Sequence, residues 1–217
     1  MTAQRIYLIR HGQTEWNVTG RWQGSLEVDL NDHGREQAQR LADHLANRPI
    51  SHIFTSDLSR ALETAQMLGA SVGVEPQPDP RWREMNLGVF QGLTKAEVLS
   101  QQGDEYRVYV SDIFNHVIQQ GESRRMLQDR AYAAWCDAVQ TDANEIAIVS
   151  HGVTIRMLLA RLFPENFHME QHVEIGNTSI TTIERDGDDW VVTELASIAH
   201  LENKAKELAQ DRGEANA

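Results

Sequence analysis

One cysteine among 217 residues is the first scarcity in this chain. A lone thiol, Cys136, excludes an internal disulfide and fits a reducing compartment; beside Trp135 in a helical pattern it reads as core filler. No apolar run approaches the roughly 20 residues of a membrane span. Basic residues are also scarce, 20 Lys and Arg against 32 Asp and Glu, a net charge of -12. That balance argues against the basic face that a nucleic acid or an anionic membrane requires. An anionic substrate must then be drawn by a local basic pocket. There is no internal repeat and no low-complexity segment. The first strand begins within a few residues of Met1, leaving no room for a signal peptide, so a cytoplasmic protein is expected. A chain of this length should bury roughly 70% of its unfolded surface, and a single domain over 1–217 is expected.

What is present begins with two apolar runs that end in His-Gly. Ile6-Tyr7-Leu8-Ile9 leads into Arg10-His11-Gly12, and the run from Ile146 to Ser150 leads into His151-Gly152. Short runs rich in β-branched residues and ended by glycine read as buried parallel strands. In an open α/β sheet, ligands bind outside the carboxyl ends of the strands. Two imidazoles and an arginine are thus delivered to one rim, which suits an anion, phosphate first.

After a Gly-punctuated loop from Gly12 to about Leu30, Asn31 or Asp32 caps a predicted helix with Ala38, Leu41, Ala42 and Leu45 on one face, closed by Pro49. Ile53-Phe54-Thr55 reads as a strand. A helix capped by Ser56 or Asp57 follows, with Leu58, Ala61, Leu62, Ala65 and Leu68 at helical spacing. One strand is expected near Val74. Residues 81–121 are irregular, with helices starting near Thr94 and Asp104, and 93–121 reads as a lid inserted over the strand ends. A helix from Ser123 and another through Ile155 to Leu162, stopped by Pro164, flank the second His-Gly strand. Residues 179–184 and 190–195 form a predicted hairpin around Asp186-Gly187-Asp188. A short helix and polar tail are expected over about 201–217. Strands alternating with helices imply an α/β fold, a three-layer α/β/α sandwich with a mostly parallel central sheet.

Phosphoryl transfer relies on positioning and on electrostatic stabilisation of three equatorial oxygens. Arginine supplies a permanently charged planar fork, and neutral imidazole is a nucleophile near pH 7. The stretch from Arg10-His11-Gly12 through Thr14 to Asn17 resembles the signature of the histidine phosphatase superfamily, the group that includes phosphoglycerate mutases and many small-molecule phosphatases. Four further stretches are similar to motifs of that family: Thr55 to Ala61 with Arg60 and Thr64; Arg83-Glu84 with Gly88 and Gln91-Gly92; Ser150-His151-Gly152; and Asn177 to Thr181. The resemblance covers nearly the whole chain and implies a phosphoglycerate mutase-like fold. It also implies that His11 attacks phosphorus, that Arg10, Arg60 and His151 hold the phosphoryl oxygens, and that Glu84 protonates the leaving alkoxide and later activates water. Asn17, Gln23, Gly24 and the backbone at Gly152 and Val153 would line the pocket. Taken singly, each residue has a plainer reading. His151 could be a structural histidine, Glu84 a surface carboxylate, and Arg60, off the apolar stripe of its helix, a solvated arginine.

His168 and His172 have a spacing that could bring two metal ligands together, but Pro164 and Asn166 disfavour a helix there, and no metal is expected. Trp16 and Trp22 could wall the pocket or fill the core. The resemblance implies that the family's mutases carry a tyrosine shortly before the glycine after the acid, and an arginine pair in the following insertion. Here Leu87 stands before Gly88 and the insertion offers only Arg107. Arg124 and Arg125 fall later and do not replace that pair by position, although Lys95 matches a mutase substrate-binding lysine. The expected activity is therefore hydrolysis of a small phosphorylated metabolite without a cofactor. The alternatives are a phosphoglycerate mutase dependent on 2,3-bisphosphoglycerate and a non-catalytic phosphate-ligand binding protein. The oligomeric state is open, a homodimer included.

Overall fold

The computed structural model describes residues 3–167 and 174–202. Strands β1 (Arg5–Arg10), β2 (Ile50–Thr55), β3 (Pro76–Pro78) and β4 (Glu145–Ser150) lie parallel, and β5 (Ile180–Asp186) and β6 (Asp189–Ser197) add an antiparallel hairpin beside β1. The order across the sheet is β3-β2-β4-β1-β5-β6. Two prolines are tolerated in β3 because it is an edge strand and need not donate on both sides. The strand expected near Val74 thus begins two residues later, and the strand expected from Ser179 begins at Ile180.

Strand side chains alternate between faces, and both faces are covered. Ile6, Leu8, Ile146 and Ile148 pack with Ala134, Trp135, Ile155 and Leu158 of helices α6 (Arg124–Val139) and α7 (Gly152–Leu162). Tyr7, Ile9, Ala147 and Val149 pack on the other face with Leu41, Leu45, Ala61 and Leu68 of helices α2 (Asp32–Leu45) and α3 (Ser59–Val72). This is the three-layer sandwich that the alternating pattern implied. Cys136 is half-buried against the first of these clusters.

The chain leaves β1 toward α2 on one face and leaves the adjacent strand β4 toward α7 on the other. The two loops diverge, and the crevice between them is a topological switch point, where open α/β sheets bind ligands. Helices α4 (Lys95–Gln101) and α5 (Gly103–Ser111) are joined to the body by a third apolar cluster around Met85, Phe90, Tyr109, Leu127 and Met157. Side chains set the boundaries. Asn31 accepts from Gly34 N to cap α2, and Ser123 accepts from Met126 N to cap α6. Helix α3 has no side-chain cap; Ser56 accepts from Leu58 N and Asp57 is turned to Arg83. The Gly12–Leu30 loop contains a one-turn helix α1 (Glu15–Val18), in which Thr14 and Asn17 form a reciprocal capping box. A helical turn occupies 199–202, and the expected helix beyond it lies outside the described residues, as do His168 and His172.

Candidate active site

His11 and His151 follow the paired ends of β1 and β4, where Arg10 stands opposite Ser150. His11 N donates to Ser150 O at 3.0 Å. Their rings lie 5.1 Å apart, both buried. The Nδ1 of His11 is 2.6 Å from the carbonyl of Gly12. A carbonyl only accepts, so Nδ1 carries the proton and Nε2 presents its lone pair. Burial, with Arg60 and Arg10 beside it, holds the His11 pKa well below the ordinary imidazole value. His151 is held down in the same way, by burial, then Arg60 and His11. Both rings are neutral near pH 7.

The loop carrying His11 is fixed from three sides. Gly12 N donates to the Thr64 hydroxyl, and Asn177 Nδ2 and Thr178 N both donate to the carbonyl of His11. A side chain at Gly12 would put its Cβ 2.5 Å from the carbonyl of Gly34, so the close approach of α2 requires glycine there. Asn17 accepts at Oδ1 from Thr14 and Asn177, which leaves its Nδ2 as the free end in the cavity.

Arg60 is 1% exposed, not the solvated arginine its helical position suggested. It sits in the first turn of α3, so its side chain reaches back over the strand ends. There its two terminal nitrogens donate to the carbonyls of Leu26 and Gly24 at 2.8 and 2.7 Å. Burial pushes its pKa down to about 10, with Glu84 and Glu27 opposing, so it stays charged. Arg10 donates to the carbonyl of Ile175 at 2.6 Å. Arg10 Nε, Arg60 Nε and both ring nitrogens of His151 are buried with no hydrogen-bond partner among the described residues. Buried polar atoms of this kind are costly unless paired, and the donors among them suit an anion: the two arginine Nε and the one ring N–H of neutral His151.

The carboxylate of Glu84, carried on the loop after Trp82, meets the first turn of α7. Its Oε1 accepts from Met85 N, Thr154 N and the Thr154 hydroxyl, and its Oε2 accepts from Val153 N alone. The Thr154 hydroxyl is also 2.9 Å from the carbonyl of Arg83. It can donate to either oxygen, so this bond adapts to Glu84 with or without a proton. The loop bearing Glu84 is braced by a bidentate Arg83–Asp57 pair with both distances 2.6 Å. Arg130 adds three bonds to the carbonyls of Arg81, Arg83 and Glu84 while pairing with Glu122. Neither Thr154 nor Arg130 carried a signal in the sequence beyond a helical position.

A cavity of about 670 Å³ joins these groups. Arg10, His11, Asn17, Gln23, Gly24, Arg60, Glu84, Leu87 and Val153 all line it, and Trp22 walls it while Trp16 packs near Gly92. His151 lies directly behind it, in ring contact with His11. Gly152 is not in the wall; it packs on Arg10, whose Nε would be 3.6 Å from a Cβ there. Lys95 is not in the wall either. The Thr94–Glu97 capping box starts α4 so that Lys95 faces solvent, and the basic group brought in from this side is Arg21, paired with Glu97. Arg107 pairs with Asp104 on the surface. Arg124, set aside by its position in the sequence, lines the cavity, as does Arg156. Among the described residues no group of three or more His, Cys, Asp or Glu side chains could hold a metal, and no helix is long and apolar enough to cross a membrane.

Fold and site together define an α/β protein with a histidine–arginine cluster over the carboxyl ends of two adjacent parallel strands. The chain belongs to the histidine phosphatase superfamily (branch 1), which matches over residues 6–198. It is 39% identical over 202 residues to phosphoglycerate mutase-like protein 4 of Arabidopsis thaliana, covering 91% of this chain and 86% of the relative. Among solved structures it superposes on Bacillus stearothermophilus YhfR with a TM-score of 0.82 at 32% identity, covering 92% of this chain and 100% of that one. A mycobacterial glucosyl-3-phosphoglycerate phosphatase complexed with VO3 gives a TM-score of 0.74 at 30% identity, covering 90% and 100%.

Proposed function

We propose that this protein is a phosphatase that hydrolyses a small phosphorylated metabolite through a phosphohistidine on His11, without a metal. The observation that carries this reading is the Nδ1 bond of His11 to its neighbour's carbonyl, which leaves a neutral Nε2 lone pair among buried cations. In the first step Nε2 attacks phosphorus and the bond from phosphorus to the ester oxygen breaks. Glu84 gives its proton to that oxygen, which leaves as an alcohol. Arg10, Arg60 and His151 hold the three equatorial oxygens, the work that a metal does in other phosphoryl-transfer sites. In the second step Glu84 takes a proton from water, the water oxygen bonds to phosphorus, and the bond to Nε2 breaks to release phosphate.

The name of the Arabidopsis relative keeps a mutase as the second reading, with 2,3-bisphosphoglycerate as its phosphate donor. Leu87 in the wall and Lys95 outside it favour water as the acceptor instead. A labelled aryl phosphate, rapid quench and a chelator throughout test the reading. The expected result is turnover with acid-labile label on the protein, both lost in His11→Ala. Turnover that needs added metal, or label that survives in His11→Ala, overturns it. Exchange between 2- and 3-phosphoglycerate stimulated by the bisphosphate selects the mutase.

A further inference from the structure

One loop, residues 175–179, supports both His11 and its neighbour Arg10. The carbonyl of Ile175 accepts from the Arg10 guanidinium, the carbonyl of Ser179 accepts from Arg10 N, and Thr178 N donates to the carbonyl of His11 at 3.2 Å. Thr64 engages Gly12 N, so the peptide between His11 and Gly12 is fixed at both ends. The next carbonyl along is the Gly12 oxygen that receives the Nδ1 proton of His11. Turning this peptide would carry that acceptor away from the ring. Thr178 makes its bond from a strained backbone: its φ is 53°, in the left-handed region that a β-branched residue avoids. Such strain persists only where the surroundings enforce it. The Thr178 hydroxyl lies 3.1 Å from Nε2 of His200, and both residues are buried.

His200 reaches Thr178 from another part of the fold. It sits on the helical turn 199–202 after β6, where Leu201 N donates to the carbonyl of Ile198. The turn is tied to α2: Arg40 donates to the carbonyl of Leu201 at 3.5 Å, and the His44 ring stands 5.8 Å from that of His200. Ile198 also backs the loop, since a Cβ at Gly176 would be 3.7 Å from its Cγ2. His200 is not in the cavity wall, so it does not meet the substrate. Burial, then His44 and Arg40, hold its pKa to about 4 against Glu194, and the ring is neutral near pH 7. We propose that His200 is a positioning residue for phosphoryl transfer at His11. It pins Thr178 in the left-handed conformation, and Thr178 fixes the peptide that sets the tautomer and the aim of the nucleophile. The inference rests on the phosphatase reading and extends its machinery to the turn after β6.

The test measures the rate of phosphoenzyme formation from labelled 4-nitrophenyl phosphate by rapid quench, in the unmodified chain and in four variants. These are His200→Leu, His200→Gln, Thr178→Val and the double variant His200→Leu with Thr178→Val. A glutamine amide can take the place of Nε2 against the threonine hydroxyl, and leucine cannot. The expected result is a rate roughly fivefold or more lower in His200→Leu, the worth of one neutral hydrogen bond, with inhibition by inorganic phosphate little changed. His200→Gln restores most of the rate. The double variant is no slower than the slower single, because both changes break one link. A second readout does not depend on turnover: in proton–nitrogen spectra of the imidazoles, the His11 Nδ1–H signal shifts in His200→Leu and returns in His200→Gln. Equal losses in the Leu and Gln variants, additive losses in the double variant, or a His11 signal that does not move overturns the positioning role and leaves the phosphatase reading standing. No phosphoenzyme in the unmodified protein overturns that reading, and the positioning role with it.

Discussion

The hydroxyl of Thr154 is the clearest example of one atom serving two states of the site. Its single proton has two acceptors in reach, Glu84 Oε1 at 3.1 Å and the carbonyl of Arg83 at 2.9 Å. With Glu84 ionised the proton turns to Oε1. With Glu84 protonated it turns to the Arg83 carbonyl, and the threonine oxygen accepts from the acid instead. In the proposed cycle Glu84 both gives and takes a proton, and a partner that never becomes unpaired serves both states. Thr154→Val keeps the volume and removes this adaptability. We expect kcat to fall about tenfold with KM little changed, because the lost interaction acts on Glu84 and not on the bound phosphate. Steady-state kinetics from pH 5 to 8 check it; a variant that changes KM alone assigns Thr154 to substrate binding.

Elements place these atoms by close backbone approach. The N-terminus of α2 lies against the loop after β1 so tightly that neither contact residue tolerates a side chain. A Cβ at Gly12 would be 2.5 Å from Gly34 O, and one at Gly34 would be 2.0 Å from Gln13 O. Gly12→Ala must push α2 off the end of β1, at a cost typical of overpacking, about 1–3 kcal/mol. The urea midpoint should fall accordingly, and the proposed phosphatase activity should fall with it, since the same shift moves His11. An unchanged midpoint would mean that α2 is free to slide. This scale also separates what could be read from the chain from what could not. The helix starts near Asn31 and Ser123, the buried strands and the two His-Gly ends were legible because local chemistry dictates them. The burial of Arg60 was not legible from helical period, since it depends on the carbonyls of Gly24 and Leu26 coming from another segment. Lys95 matched a motif, yet the capping box at Thr94 turns it outward. Arg124 and Arg156 are far apart in sequence, and only the packing of α6 beside α7 brings them to one cavity.

At the scale of the whole molecule, the same burial that keeps the site histidines neutral makes the fold sensitive to acid. His11 and His151 are held well below the ordinary imidazole value, chiefly by burial. His200 is held to about 4 by burial, then by His44 and Arg40 nearby, and its Nε2 bonds the hydroxyl of Thr178, whose amide in turn supports His11. In the unfolded chain each titrates near 6.5. Between the folded and unfolded values the unfolded state binds more protons. The stabilisation is therefore fully present above about pH 6.5 and is lost as pH falls through that window, by up to about 1.4 kcal/mol per pH unit for each histidine. The net charge of -12 works in the opposite direction, because acidification relieves repulsion among carboxylates. A loss of stability from pH 7 to 5 thus identifies the histidines as dominant. Inorganic phosphate separates the site pair from His200. An anion in the nest binds only the folded state and favours the imidazolium forms of His11 and His151, so it raises stability at pH 7 and flattens the acid slope. His200→Gln should flatten the slope by about a third in chloride and leave the phosphate effect intact. Chemical denaturation at matched ionic strength, in chloride and in saturating phosphate, measures both. An acid slope identical in the two salts would detach the buried imidazoles from the anion.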